Sequence, residues 1–247
     1  MKNARKLLPA IAMLLISAVM MSTASFAWFS MNTTVTATGM QIQAKSDQTF
    51  LIISATKTTA DEIQAEYIAK ASDENAFTAT TTVPTKAVYP AAVKGTPTTD
   101  DDLEFQYAVG TSYTDGTATK DEHGEKVYYD VTTLENYVVK YTFYITVTDG
   151  AIPAENIVVK SLTIDGDEAV HVVVTSDYAA KEYENGFTSE DATTILSGNT
   201  KITDTTVLAV NVYVFFDGDE LNVTTANAAT LAETKVTVVF GVKGATA

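Results

Sequence analysis

The chain has 247 residues, a net charge of −15 at pH 7, two histidines and no cysteine. So acidic a surface disfavours nucleic acid, whose binding depends on neutralising phosphates, and without cysteine no disulfide contributes to stability. The core must do that alone, and a chain of this size buries roughly 70% of the surface its unfolded form exposes.

At the N-terminus, Met1–Lys6 carries Lys2, Arg5 and Lys6 and no acid. The apolar run Leu7–Met21 follows, then the small-residue sites Ser22-Thr-Ala24 and Ser25-Phe-Ala27. This basic, apolar, small-residue order is that of a secretory signal. The expectation is a signal peptide over 1–27, cut by signal peptidase between Ala27 and Trp28, ahead of one exported domain over 28–247. Removal of the three basic residues would take the net charge to near −18. The alternative is an uncleaved anchor. It counts Ser22–Phe29 into the span, since a membrane helix needs about 20 apolar residues, and sets Trp28 and Phe29 at the membrane interface.

Thr, at 41 residues, suits the half-exposed surface of a sheet. In chain order, strands are expected over 33–44, 49–55, 103–109 and 125–131. The clearest is Tyr137–Thr148, with Tyr137, Val139, Tyr141, Phe143, Ile145 and Val147 on one face. Asp149-Gly150 reads as a turn. Ile157–Ile164 and Glu168–Thr175 read as a hairpin around Asp165-Gly166, because Asp-Gly tolerates the positive φ of such turns. Thr206–Phe216 places Leu208, Val210, Val212, Val214 and Phe216 on one face; Lys235–Val242 does so with Val236, Val238, Phe240 and Val242. A capping-box pattern at Thr59–Glu62 predicts a helix, with shorter helical turns over 188–196 and 226–232. The stretches 78–102 and 110–125 read as surface loops. About nine strands, mostly antiparallel, make an all-β, two-sheet antiparallel sandwich with a few short helices.

Chemistry is sparse. His123 lies in a polar loop, and His171 sits 48 residues away on the less apolar face of a strand. No nucleophile elbow, zinc-binding helix or phosphate loop is present. Catalytic residues, cofactors and a resident metal are therefore not expected, and an enzyme ranks last. Three carboxylate clusters, Asp100–Asp102, Asp165/Asp167/Glu168 and Asp217/Asp219/Glu220, have the oxygen chemistry of calcium sites without the spacing of an EF-hand. Two of them coincide with turns. Asn32-Thr-Thr34 and Asn222-Val-Thr224 fit the glycosylation sequon. Tyr107, Tyr113, Tyr128, Tyr129 and Tyr144 would offer aromatic platforms for sugar rings, against the plainer reading of half-buried packing residues.

The stretch Ser25–Ala44, "SFAWFSMNTTVTATGMQIQA", resembles the start of exported proteins with a SipW-type signal peptide, the TasA/camelysin group. Ala27, Trp28 and Phe29 match the aromatic element there, and Thr36–Gly39 the strand entry. Val210–Val242 resembles the closing strands of small exported proteins of Gram-positive bacteria. In a bacterial chain the two sequons are coincidental. The resemblance implies a jelly-roll-like sandwich and a structural role in an extracellular matrix, biofilm or surface fibre. The partners would be copies of the chain or other matrix proteins, and the N-terminal strand of one subunit would complete the sheet of the next. Residues 28–45, with Trp28, Phe29, Val35, Met40 and Ile42, are the candidate assembling strand. Its weak two-face pattern leaves register loosely pinned; pairing within its own fold is the equal alternative. The other function class is a cell-surface binding module recognising carbohydrate or another surface protein through loops.

Overall fold

β-branched and aromatic residues dominate the longest strands, and their alternation decides which face each buries. The computed structural model describes residues 35–37, 41–46, 51–70, 78–82, 86–109, 127–166, 169–184, 187–196, 200–217 and 234–243. The signal segment 1–27, with Ala27, and also Trp28, Phe29 and Met40, lie outside them, as do the sequons, His123 and 226–232. No helix among the described residues is long and apolar enough to cross a membrane.

The described strands are β1 Val35–Ala37, β2 Gln41–Ser46, β3 Leu51–Ser54, β4 Thr78–Thr82, β5 Lys86–Val88, β6 Ala92–Val93, β7 Phe105–Val109 and β8 Val127–Asp130. Then come β9 Val138–Val147, β10 Ile157–Asp165, β11 Val170–Ser176, β12 Ala179–Tyr183, β13 Thr188–Thr194, β14 Leu208–Phe216 and β15 Lys235–Val242. Among the described residues one α-helix, α1, spans Ala60–Lys70, and a 3-10 turn spans Leu134–Asn136. The fold is all-β, with several open sheets.

Two sheets have five strands, in the orders β13-β10-β15-β2-β4 and β12-β11-β14-β9-β3. Pairing is antiparallel throughout the described ladders, except that β2 runs parallel to β15 with Ile42 opposite Val236. From β9 to β11, and again from β13 to β15, consecutive strands change sheet at every step. Both sheets feed one core. Ile42, Val159, Leu162, Val238 and Phe240 come from the first; Ile53, Phe143, Val172, Val212 and Phe216 come from the second.

A third layer was not anticipated. β6, β7 and β8 form a small sheet whose Phe105 packs on Tyr213 and Phe215, beside Val138 and Val173, on the far face of the second sheet. That sheet is therefore covered on both faces, and every residue of β11 is buried.

Several expectations need correction. β10 and β11 do not form a hairpin: they lie in different sheets, and Asp165-Gly166 carries the chain between them. Gly166 is not there for a positive φ, unlike Gly150 at φ 70°. A Cβ on Gly166 would stand 2.6 Å from Thr234 Oγ1, so only glycine fits. The true two-residue hairpin joins β11 to β12, where Ser176 opposite Ala179 brackets Asp177-Tyr178. Residues 188–194 form a strand, not a helix, because their Thr-rich chain adds to the edge of β10. The presumed loop 78–102 holds β4, β5 and β6, and the 33–44 pattern divides into β1 and β2 in separate sheets. Along β10 the register shifts between Val159 and Ser161. That bulge switches the core set from Ile157 and Val159 to Leu162 and Ile164.

Helix α1 forms where expected, although Thr59 Oγ1 donates to Glu62 Oε2 (2.8 Å) rather than capping a backbone N–H. Its Ile63 is buried, while Ile68 points to solvent. Ser54 Oγ donates to Glu66 Oε2 (2.6 Å) and fixes the helix to β3. Burial pushes the Glu66 carboxyl up, but the Lys70 and Ser54 hydrogen bonds outweigh it and hold the group below its usual range.

Replacing Gly166 by alanine forces a shift against the buried Thr234. Gly166→Ala should lower unfolding stability by about 1–3 kcal/mol, the usual cost of overpacking, measured by urea denaturation. An unchanged midpoint would show that the crossover relaxes freely.

Candidate functional site: a tyrosine row beside an acidic cleft

The small sheet owes its position to Phe105, which meets Phe215 edge-on at 5.2 Å between centroids and Tyr213 at 6.0 Å. Two residues on along β7, Tyr107 projects from the same side, and antiparallel pairing sets it opposite Tyr129 of β8. Their rings stack at 5.7 Å, 24° apart. Tyr137, between the 3-10 turn and β9, stacks on Tyr107 at 5.2 Å and 23°, and Tyr89 lies 5.7 Å beyond it at 45°. Tyr129, Tyr107, Tyr137 and Tyr89 thus form a row. The first three are half-buried and Tyr89 is 38% exposed. Burial raises the Tyr137 phenol above its usual range, with Tyr107 and Tyr89 adding to the shift.

Where β7 begins and β8 ends, Leu103, Glu104, Phe105, Asp130, Val131 and Leu134 line an open cleft of about 210 Å³. Its rim is ionic: Lys94 Nζ lies 2.9 Å from Glu104 Oε2 and 2.8 Å from Asp130 Oδ1. The hydrogen bonds to Asp130 and Glu104 raise the Lys94 ammonium well above its usual range.

Below the small sheet, Asp100 ties the 94–102 segment to the second sheet. Its Oδ1 accepts from Tyr213 Oη (2.8 Å) and from Thr175 Oγ1, and Lys140 Nζ lies 3.8 Å from Oδ2. Burial acts to raise the Asp100 carboxyl, but these donors and Asn211 bring it below its usual value. Conversely, burial and the neighbouring Asp100 push the Tyr213 phenol strongly up. Asp102 instead accepts from Thr98 and Thr99, chiefly the Thr98 hydroxyl, which lowers it to about 2.

The Asp100–Asp102 cluster is thereby divided between two tasks within the fold. Among the described residues no group of three or more His, Asp or Glu is arranged to hold a metal ion. Asp167, Glu168, Asp219 and Glu220 lie outside those residues. Asp217 follows β14 and faces His171 Nε2 at 3.8 Å, while Glu182 Oε1 meets His171 Nδ1 at 2.8 Å. His171 is therefore enclosed (7% exposed) rather than solvent-facing.

Of the candidate strand residues, Val35 lies in β1 opposite Val88, and Ile42 is fully buried in β2. Of the candidate platform tyrosines, Tyr107 and Tyr129 come together. Tyr128 is exposed on the other side of β8, Tyr144 lies in β9, and Tyr113 is outside the described residues. Tyr89 and Tyr137 were not singled out as platform residues. Only the register of β7 on β8 and the packing of the 3-10 turn reveal the row. No family model matches the chain, and no curated protein or solved structure matches it.

Burial works against the charged form of His171, but Glu182, Asp217 and Glu184 outweigh it, and the folded pKa rises above the usual 6.5. A raised folded pKa adds stability that is complete below the unfolded pKa and disappears as pH climbs through the folded one. The stability difference between the chain and His171→Gln should therefore shrink from about pH 6 towards pH 8, measured by chemical denaturation at each pH. A difference that stays flat or grows would contradict this.

Proposed function

We propose that the chain is an exported, non-enzymatic structural protein of an extracellular matrix or surface fibre, assembled by strand addition at the open edge β4. The two five-stranded sheets form, in this reading, a β-sandwich of the jelly-roll kind. The sharing of one core between the sheets and the repeated change of sheet from strand to strand support that architecture.

The observation that carries the reading is the contrast among four sheet edges. An edge strand presents unpaired N–H and C=O groups, and proteins blunt such edges with charge, brevity or cover. β13 carries Glu190 and Asp191, and β12 carries Lys181 and Glu182. β3 is four residues long and is tied to α1 through Ser54. β4 is Thr-Ala-Thr-Thr-Thr, with neither charge nor proline. Its side towards β2 is paired, with Gln43 opposite Thr80; among the described residues no strand pairs on the other side. Strand addition by a second copy satisfies such an edge, and a head-to-tail contact of that type propagates into a fibre.

The incoming strand has to come from ahead of Val35, because β1 already pairs with the chain's own β5. Ile42 and Ala44 fill the chain's own core, so the assembling segment narrows from 28–45 to the residues around Trp28 and Phe29, without Val35, Met40 and Ile42. The basic, apolar and small-residue order of 1–27 supports export, with a cut between Ala27 and Trp28. The resemblance to the TasA/camelysin group supports an extracellular location.

Thr80 is exposed on β4. Thr80→Asp should suppress fibres in negative-stain electron microscopy of the mature protein, while the thermal midpoint stays within a few degrees, as expected for a surface change within about 0.5 kcal/mol. Fibres formed equally well by the variant would exclude β4 as the assembling edge.

A further inference from the structure

We propose that His171 is a proton-operated latch: its doubly protonated ring clamps the second sheet to the root of the third layer, and loss of one proton frees that root while β12 stays attached. The latch is independent of assembly at β4.

A carboxylate faces each nitrogen of the ring. Glu182 Oε1, from the edge strand β12, lies 2.8 Å from Nδ1, and Asp217 Oδ2, just past β14, lies 3.8 Å from Nε2. An ionised carboxylate only accepts hydrogen bonds. A neutral imidazole has one N–H and one lone pair, whereas the imidazolium has two N–H groups. Only the charged ring therefore suits both neighbours at once. The charges that act on it most, Glu182, Glu184 and Asp217, are all acidic. The Phe215 ring stands edge-on at 5.9 Å and His171 is 7% exposed, so water has little room to replace a lost partner.

The two contacts are unequal, and that decides which one opens. The Glu182 contact has hydrogen-bond length, whereas the Asp217 contact is too long for one and holds by charge. The last proton therefore stays on Nδ1. The Nε2 lone pair then faces the Asp217 carboxylate, and attraction turns into repulsion. β12 keeps both its Glu182 contact and its pairing with β11 from Val172 to Ser176. Asp217, by contrast, is where the third layer is rooted. Its backbone bridges to Ala91, next to β6. The Ala91 N–H donates to the Phe216 carbonyl (2.9 Å) and the Asp217 N–H to the Ala169 carbonyl (2.7 Å). The Asp217 side chain is 14% exposed, so it regains solvation by turning outward, and its backbone pulls on the Ala91 bridge. Phe105 and Asp100 hold the layer elsewhere, which keeps the opening local.

Nuclear magnetic resonance of the purified, ¹⁵N-labelled chain reads both halves of the latch. Long-range ¹H–¹⁵N spectra report the ring nitrogens: both should be protonated at the acid end of a series from about pH 6 to 9, and the neutral ring should keep its proton on Nδ1, the less common tautomer of free histidine. Amide exchange reports the root. Corrected for the intrinsic effect of pH on exchange, protection of the Ala91 and Asp217 amides should fall about tenfold across the series, the equivalent of one pKa unit. The amides between β11 and β12 should hold theirs. In Asp217→Asn, whose side-chain amide can donate to Nε2, the fall at Ala91 should vanish. Should that variant not fold, the tautomer and the exchange pattern of the unaltered chain decide. A neutral ring protonated on Nε2, Ala91 protection indifferent to pH, an equal fall between β11 and β12, or a fall that persists in Asp217→Asn would each overturn the proposal.

Discussion

Burial of one sheet on both faces governs the rest of the molecule. In β11, Val170, Val172 and Val174 enter the core shared with the first sheet, whereas Val173 enters the smaller core beneath β6, β7 and β8. β14 does the same, with Val210, Val212 and Val214 on one side and Tyr213 and Phe215 on the other. A polar group in such a strand needs a partner. His171 lies against Glu182, Thr175 donates to Asp100, and Asn211 meets Thr142. Those partners lie on a neighbouring strand or in the segment over the sheet. The polar residues of the second sheet therefore help to bind the third layer in place.

The tyrosine row is an outcome of that layering. The small sheet is held at one end by Phe105 and by the Asp100 hub, so its tyrosines fall at the seam, where their rings are partly covered and partly open. The edge β4 lies in the other five-stranded sheet. The proposed assembly edge and the tyrosine row thus lie in different layers of the same protein.

The residue pattern revealed much of the first-order fold. The alternation of β9, β14 and β15 is strong enough to place each strand and its core face within a residue or two. Shorter strands escaped because their information is not local. β4 and β13 are mostly Thr, Ser and acids, which read as loop or helix until a neighbouring strand offers its edge. Asp165-Gly166 resembles a hairpin turn locally, yet the space allowed by Thr234, 68 residues later, is what requires the glycine. The continuous burial of β11 follows from the layer formed by β6, β7 and β8, which no periodicity within β11 can report. The tyrosine row was half legible: Tyr107 and Tyr129 could be named from composition, but not that they face each other across a hairpin.

The parallel pairing of β2 with β15 joins residues near opposite ends of the chain, Gln41 with Lys235 and Ser46 with Phe240. Contacts so distant in sequence make folding slow, because the entropy of closing the loop is lost before the contact repays it. A chain emerging N-terminus first cannot finish the first sheet until its last strand has been made. Until then β2 lacks β15, the partner that later holds one of its sides. The order of synthesis thus leaves one side of β2 open in every nascent copy until β15 arrives.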